Sequence, residues 1–137
     1  MADSARAVSY YYVTVPDRPG EGARVLGALE DAGVNLLAFH AFPTGEGAQL
    51  DFVPDDSAAF AKAARGAGLQ LSEEKTAFLL DGGDRPGAAA ELLGKLGAAG
   101  VNVVAMDAVI SGDGRYGALF WVSPGDVESA KGALGIG

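Results

Sequence analysis

"DRPGEGARVLGALEDAGVN" (residues 17–35) and "DRPGAAAELLGKLGAAGVN" (residues 84–102) are one nineteen-residue pattern written twice, 67 positions apart and without a gap. Each copy opens on Asp-Arg-Pro-Gly and closes on Ala-Gly-Val-Asn. Between these ends, Ala23, Leu26, Leu29 and Ala32 recur at the spacing of one helix face. An acidic residue suits the positive end of a helix and a proline there loses no hydrogen bond, so Asp17 and Pro19 predict a helix start. Gly33 and Gly100 stand where a left-handed residue stops a helix. Gly27 and Gly94 predict close helix packing, because glycine in mid-helix costs about 1 kcal/mol against alanine.

The flanks read as strands. "SYYYVTV" (9–15) is β-branched and aromatic. "VNLLAFHAF" (34–42) is a second strand, "PTGEG" a turn, and "AQLDFV" (48–53) a returning strand. "PDDSAAFAKAARGAG" predicts a helix with acidic capping residues, and "LQLSE" (69–73) a fourth strand. The second copy keeps this order through "KTAFLLD", its helix, "VNVVAMDAVI", "SGDG", "RYGALFWVS" and the helical "DVESAKGAL". Gly45 and Gly47 map onto Gly112 and Gly114, so the turn is expected to keep the offset. The predicted fold is α+β: two ferredoxin-like βαββαβ units in tandem, residues 1–74 and 75–137. Only "GIG" remains where an eighth strand belongs, so that strand is missing or vestigial. Either the second sheet is one strand short, or the run 69–81 serves one unit as last strand and the other as first.

The formal charge of −8, with 18 acidic and 10 basic side chains, repels phosphate backbones and argues against nucleic acid. With no cysteine, disulfides, thiolate chemistry and sulfur-ligated metals are excluded. "MADSARAVSYYYVTV" holds no uninterrupted apolar core of a signal peptide, and no stretch approaches the ~20 residues of a membrane span. A cytoplasmic protein without a membrane partner is expected. Units of about 67 residues bury little surface alone. Their open edges invite pairing, and a homodimer is the expected assembly.

Strand, Asp-x-Pro-Gly, amphipathic helix, Gly-Val-Asn, strand: this resembles the ACT domain, a small regulatory module of amino-acid metabolism, in two tandem copies covering nearly the whole chain. The resemblance implies sheet pairing between modules and an amino acid bound at their interface. It also implies that the polar residue opening the loop and the asparagine beginning the second strand contact the ligand. Those positions are Asp17 and Asn35, and Asp84 and Asn102. Some serine-binding members carry a histidine two positions before the first polar residue; Val15 and Gly82 stand there, so serine specificity does not carry over.

Physical chemistry supports such a loop independently. A zwitterion needs donors for its carboxylate and acceptors for its ammonium, and the first turn of a helix offers unpaired N–H groups. Gly20 with Glu21 and Gly22, and Gly87 with Ala88, leave those groups open. Asp17 and Asp84 can receive the ammonium, and the amides of Asn35 and Asn102 either end. Helix start and second-strand start are expected at the same end of the fold, where they converge. The candidate site is Asp17, Arg18, Pro19, Gly20, Glu21, Gly22, Asn35 and Leu36 in the first copy. In the second it is Asp84, Arg85, Pro86, Gly87, Ala88, Asn102 and Val103. The first is favoured, because Ala88-Ala89 replaces Glu21-Gly22 in the second copy and narrows access to the backbone there.

Enzymatic patterns are weak. "GGDRPGAA" has glycines at P-loop spacing, but Ala88 and Ala89 stand where Lys and Ser/Thr belong. His40 is the one histidine, and Asp107 takes its place in the repeat. That leaves no catalytic triad, no metal set and no cofactor site. The expectation is a non-catalytic sensor of a small amino acid. A second reading is a regulatory or scaffold subunit that docks onto a metabolic enzyme and binds no small molecule.

Overall fold

The computed structural model describes residues 3–45 and 47–136. Glu46 of the first turn and Gly137 of "GIG" lie outside the described residues. The elements are β1 (Ser4–Val15), α1 (Glu21–Asp31), β2 (Leu36–Thr44), β3 (Gly47–Pro54), α2 (Ser57–Gly66), β4 (Lys75–Gly83), α3 (Ala88–Ala98), β5 (Val103–Gly112), β6 (Arg115–Val122) and α4 (Val127–Leu134), with a 3-10 turn at Pro124–Asp126. They form two compact units: residues 9–75, and residues 1–8 with 76–137.

In the first unit the strands lie in the order β2-β3-β1, with β3 antiparallel to both neighbours. The two-residue period of β1 sends Tyr11, Val13 and Val15 inward, where Tyr11 faces Phe52 and Val13 faces Leu50. Val25 and Leu29 of α1 and Phe60 of α2 close this core. The Phe60 ring lies 5.2 Å from Tyr11 and 5.3 Å from Phe52. Residues 69–73, expected as a fourth strand, form no regular strand. The Ser72 N–H donates to the Tyr12 carbonyl at 2.9 Å, while its hydroxyl accepts from the Tyr12 N–H at 3.0 Å. A side-chain oxygen thus replaces the carbonyl a ladder would use. Leu69 and Leu71 still pack on the core.

In the second unit the order is β4-β6-β5, and the opening residues of β1 complete the sheet beside β4. The place of the eighth strand is therefore taken from the other end of the chain. Residues 135–136 make no strand: Gly135 ends α4 at φ 71°, and the Ile136 N–H closes on Lys131 at 2.9 Å. The core stacks Phe78 on Phe120 at 5.0 Å and adds Leu92 and Leu96 of α3.

Both first helices stop as expected, with Gly33 at φ 75° and Gly100 at φ 76°. The turn does not keep the repeat offset. Phe39 faces Phe52 and Met106 faces Phe120, so the third strand of the second copy lies 68 residues after the first rather than 67. A bulge between Ile110 and Gly112 absorbs the extra residue. In consequence Val15 faces Ala48 in one unit, whereas Gly82 faces Tyr116 in the other. A Cβ on Gly82 would come within 2.8 Å of the Tyr116 ring and of the Asp3 carboxylate. Gly82→Ala is expected to cost about 1–3 kcal/mol through overpacking, measurable as a lower urea midpoint.

Close packing at Gly27 and Gly94 is not found: a Cβ at either meets nothing within 4 Å. Their helices have room for a methyl group. Gly27→Ala should therefore raise stability by about 0.5–1 kcal/mol, read as a higher thermal midpoint.

Asp51 is 5% exposed on the face of β3 opposite Phe52, and the Gln49 amide donates to it at 2.9 Å. Burial raises its carboxyl above the ordinary range, with Gln49 and then His40 partly offsetting the rise. The folded chain therefore holds this proton more tightly than the unfolded one. The resulting penalty is absent in acid and grows as pH rises from about 3.9 through the raised folded value. Asp51→Asn should raise the thermal midpoint at pH 7, and the advantage should vanish below about pH 4.

Candidate ligand site

Pro16 follows β1, and the Arg18 N–H folds back on its carbonyl at 3.1 Å. The chain then turns at Gly20, φ 91°, and α1 begins at Glu21. Gly87, φ 87°, repeats the bend before α3. An L side chain in this left-handed region costs about 1–2 kcal/mol, so glycine is what the bend requires. The helix starts two residues later than Asp17 and Pro19 predict, and no side chain caps it. Asp17 is consequently not used as a cap.

The loop is open. Asp17, Arg18, Pro19 and Gly20 are exposed, as are Asp84, Arg85, Pro86 and Gly87. A Cβ at Gly20, Gly22 or Gly87 meets nothing within 4 Å. The first helical bond runs from the Arg24 N–H to the Gly20 carbonyl at 2.9 Å, so the amides of Gly22 and Ala23 precede the helical ladder. Glu21, its side chain 15% exposed, is bracketed by Arg24 at 2.9 Å and Arg18 at 3.8 Å. In the second copy Ala88 is buried, Arg85 pairs with Glu91, and the Asp84 N–H donates to Gly114 at 2.9 Å. That copy ties its loop to the β5–β6 turn.

Asn35 and Asn102 are exposed immediately before β2 and β5, and the Asn35 carbonyl accepts from the Asp55 N–H at 3.1 Å. Leu36 pairs with Pro54 and Val103 with Val122. These residues do not meet the loop of their own unit. Val15 lies level with Ala48 and Pro43, the far end of β2 from Leu36. The eleven residues of α1, about 16 Å at 1.5 Å each, separate loop from asparagine. The expected convergence at one end is corrected by topology: a helix returning between two parallel strands puts its start and stop at opposite ends. Asp84 and Asn102 are divided in the same way by α3.

Sequence reading passed over the neighbours the loop does have. These are the Gly112–Gly114 turn beside Asp84, and the Glu91 carboxylate on Arg85. The repeat concealed the second, since Glu91 stands where the first copy has Arg24. Among the described residues, no three His, Asp or Glu side chains are grouped to hold a metal. No described helix is long and apolar enough to cross a membrane.

Each unit is a βαββ run with a second helix, its first helix entered through a left-handed glycine of the Asp-x-Pro-Gly turn. Residues 76–135 match the ACT domain family, and the first unit repeats the element order of the second through its second helix. The fold is shared by a protein of Bacteroides thetaiotaomicron, with 18% identity, a TM-score of 0.83, and coverage of 96% of this chain and 88% of that one. It is shared too by the ligand-free regulatory subunit of aspartate kinase from Thermus thermophilus, with 17% identity, a TM-score of 0.63, and coverage of 97% and 94%. Aspartokinase III of Escherichia coli, solved with aspartate and ADP, is similar at 16% identity and a TM-score of 0.56, with 97% of this chain and 32% of that one covered. No match was found among curated proteins.

Proposed function

We propose that this chain is a non-catalytic regulatory protein that binds a small amino acid where two modules meet. The observation that carries the reading is the open turn at Gly20, with Asp17 before it and unladdered amides behind it. Asp17 takes the ligand ammonium, and the amides of Gly22 and Ala23 take its carboxylate. Because Asn35 and Leu36 stand at the other end of their own sheet, the asparagine completing this site comes from a second module. A homodimer supplies it, each Asp17 loop meeting the strand start of the other copy. Likeness to a regulatory subunit of aspartate kinase supports a role in controlling an enzyme.

Thermal shift with each of the twenty amino acids tests this. A ligand at 100 times its dissociation constant stabilises by about 2.7 kcal/mol. A shift with one or a few amino acids is expected. No shift with any would favour the second reading, a subunit that docks onto a metabolic enzyme without a small molecule. Val104, Val109 and Ile110, respectively 60%, 69% and 57% exposed on outer strand β5, favour that alternative.

A further inference from the structure

β5 is the outermost strand of the second unit and, among the described residues, pairs on one side only, with β6. Bulges bound it at both ends, and between them Ala105 to Ile110 pair with β6 in unbroken register. That stretch has the length of an ordinary strand and turns every second N–H and C=O to the open side. Lysine or proline commonly guards such an edge. This one has neither, and its one charged residue is Asp107. Apolar side chains stand on both faces: Ile110 lies opposite Tyr116 on the core face, and Val109 opposite Gly117 on the other. They are 57% and 69% exposed, so the helices over the core leave Ile110 uncovered.

An open edge takes a second copy or another protein, and charge decides between them. The turn beyond Ile110 carries Asp113, and the Asp84 N–H, donating to the Gly114 carbonyl at 2.9 Å, sets a second acid alongside. Both are exposed. The nearest cations in sequence are taken, Arg85 by Glu91 and Arg115 by Asp81 at 3.1 Å. Asp84 and Asp113 have no ion-pair partner among the described residues. A second copy brings the same charge of −8. Antiparallel pairing of β5 with its counterpart also sets Asp107 beside Asp107 near the middle of the strand, a destabilising contact of like charges. A cationic partner meets the opposite field.

We propose that β5 receives an extended segment of a partner protein as an added antiparallel strand. The segment is a run of about five β-branched residues with lysine or arginine at its N-terminal end, which antiparallel pairing brings to Asp84 and Asp113. Main-chain bonds along the edge hold it, and the acids select it. This develops the docking reading above and uses none of Asp17, Gly22, Ala23 or Asn35.

The test is NMR titration of the full chain with the capped peptide Lys-Lys-Val-Thr-Val-Thr-Val. Two controls are its Glu-Glu counterpart and a form N-methylated throughout the Val-Thr run, which cannot pair. The lysine peptide should shift the amides of Ala105 to Ile110 saturably, the Glu-Glu form about tenfold more weakly, and the methylated form not at all. Val109→Lys should weaken the lysine peptide about tenfold, because it guards the edge and repels the cation. Leu93→Lys, the same change on exposed α3, should leave its affinity within about twofold in about 0.15 M salt. Asp17→Ala should leave peptide binding unchanged, so failure of the loop site and failure of this edge are read separately. No shift at these amides with millimolar lysine peptide, equal binding of the Glu-Glu form, or binding of the methylated form would overturn the proposal. Shifts along β5 on raising the protein concentration without peptide would assign the edge to a second copy and overturn it too.

Discussion

Phe60→Ala should lower the stability of the first unit by about 3–5 kcal/mol, the usual cost of emptying a buried aromatic site. Phe60 has no exposed surface and its ring touches those of both Tyr11 and Phe52, so its loss opens a cavity bounded by two elements that cannot collapse together. A unit of residues 9–75 holds roughly 3–10 kcal/mol at ordinary stability per residue. The substitution therefore takes it to the edge of unfolding at room temperature. Hydrogen exchange at the Phe52 and Val53 amides reads the effect where it occurs. Phe42→Ala, on exposed β2, is the control and should change exchange there little. Equal protection in Phe60→Ala and the parent would mean that the core is misassigned.

The second large effect is expected from deleting residues 1–8. They supply the strand beside β4, the Asp3 carboxylate that holds the Gly83 N–H, and Ala5 against the core. A few ladder bonds at about 1 kcal/mol each come to about 3 kcal/mol, and the deletion also leaves an open edge on β4. The single tryptophan, Trp121, is buried in this unit and reports its unfolding. The shortened chain should show an earlier denaturant midpoint by Trp121 fluorescence and a greater tendency to aggregate. An unchanged midpoint would show that the first strand contributes nothing to the second sheet.

The repeat made most of the architecture legible. Helix stops at Gly33 and Gly100 were readable because a left-handed residue there has few alternatives to glycine. The opening of β1 was not readable as strand, since Ser4, Ala5, Arg6 and Ala7 carry neither β-branched bulk nor a clear alternation. Its strand character comes from β4, a partner some seventy residues away. Ser72 misled in the opposite sense: "LQLSE" alternates like a strand, but a hydroxyl took over the backbone pairing. One added residue, at the bulge between Ile110 and Gly112, hid the Gly82–Tyr116 exchange, because the repeat aligns Tyr116 with Gln49 while the sheet aligns it with Ala48.

The candidate site was half legible. The loop's glycines and its exposure follow from local chemistry, whereas the separation of Asp17 from Asn35 is a matter of chain direction that residue types do not express. Converging them takes a second module, and that is the central claim.

Its most direct test uses two variants, Asp17→Ala and Asn35→Ala, and whichever amino acid the thermal shifts identify. Each variant alone should lose binding by titration calorimetry, because every site in its homodimer lacks one partner. Mixed in equal amounts and allowed to exchange subunits, they form heterodimers in which one of the two sites is intact. About a quarter of the parent's sites should then return for a twofold assembly. No recovery on mixing, with both variants folded and dimeric, would contradict a site shared between copies.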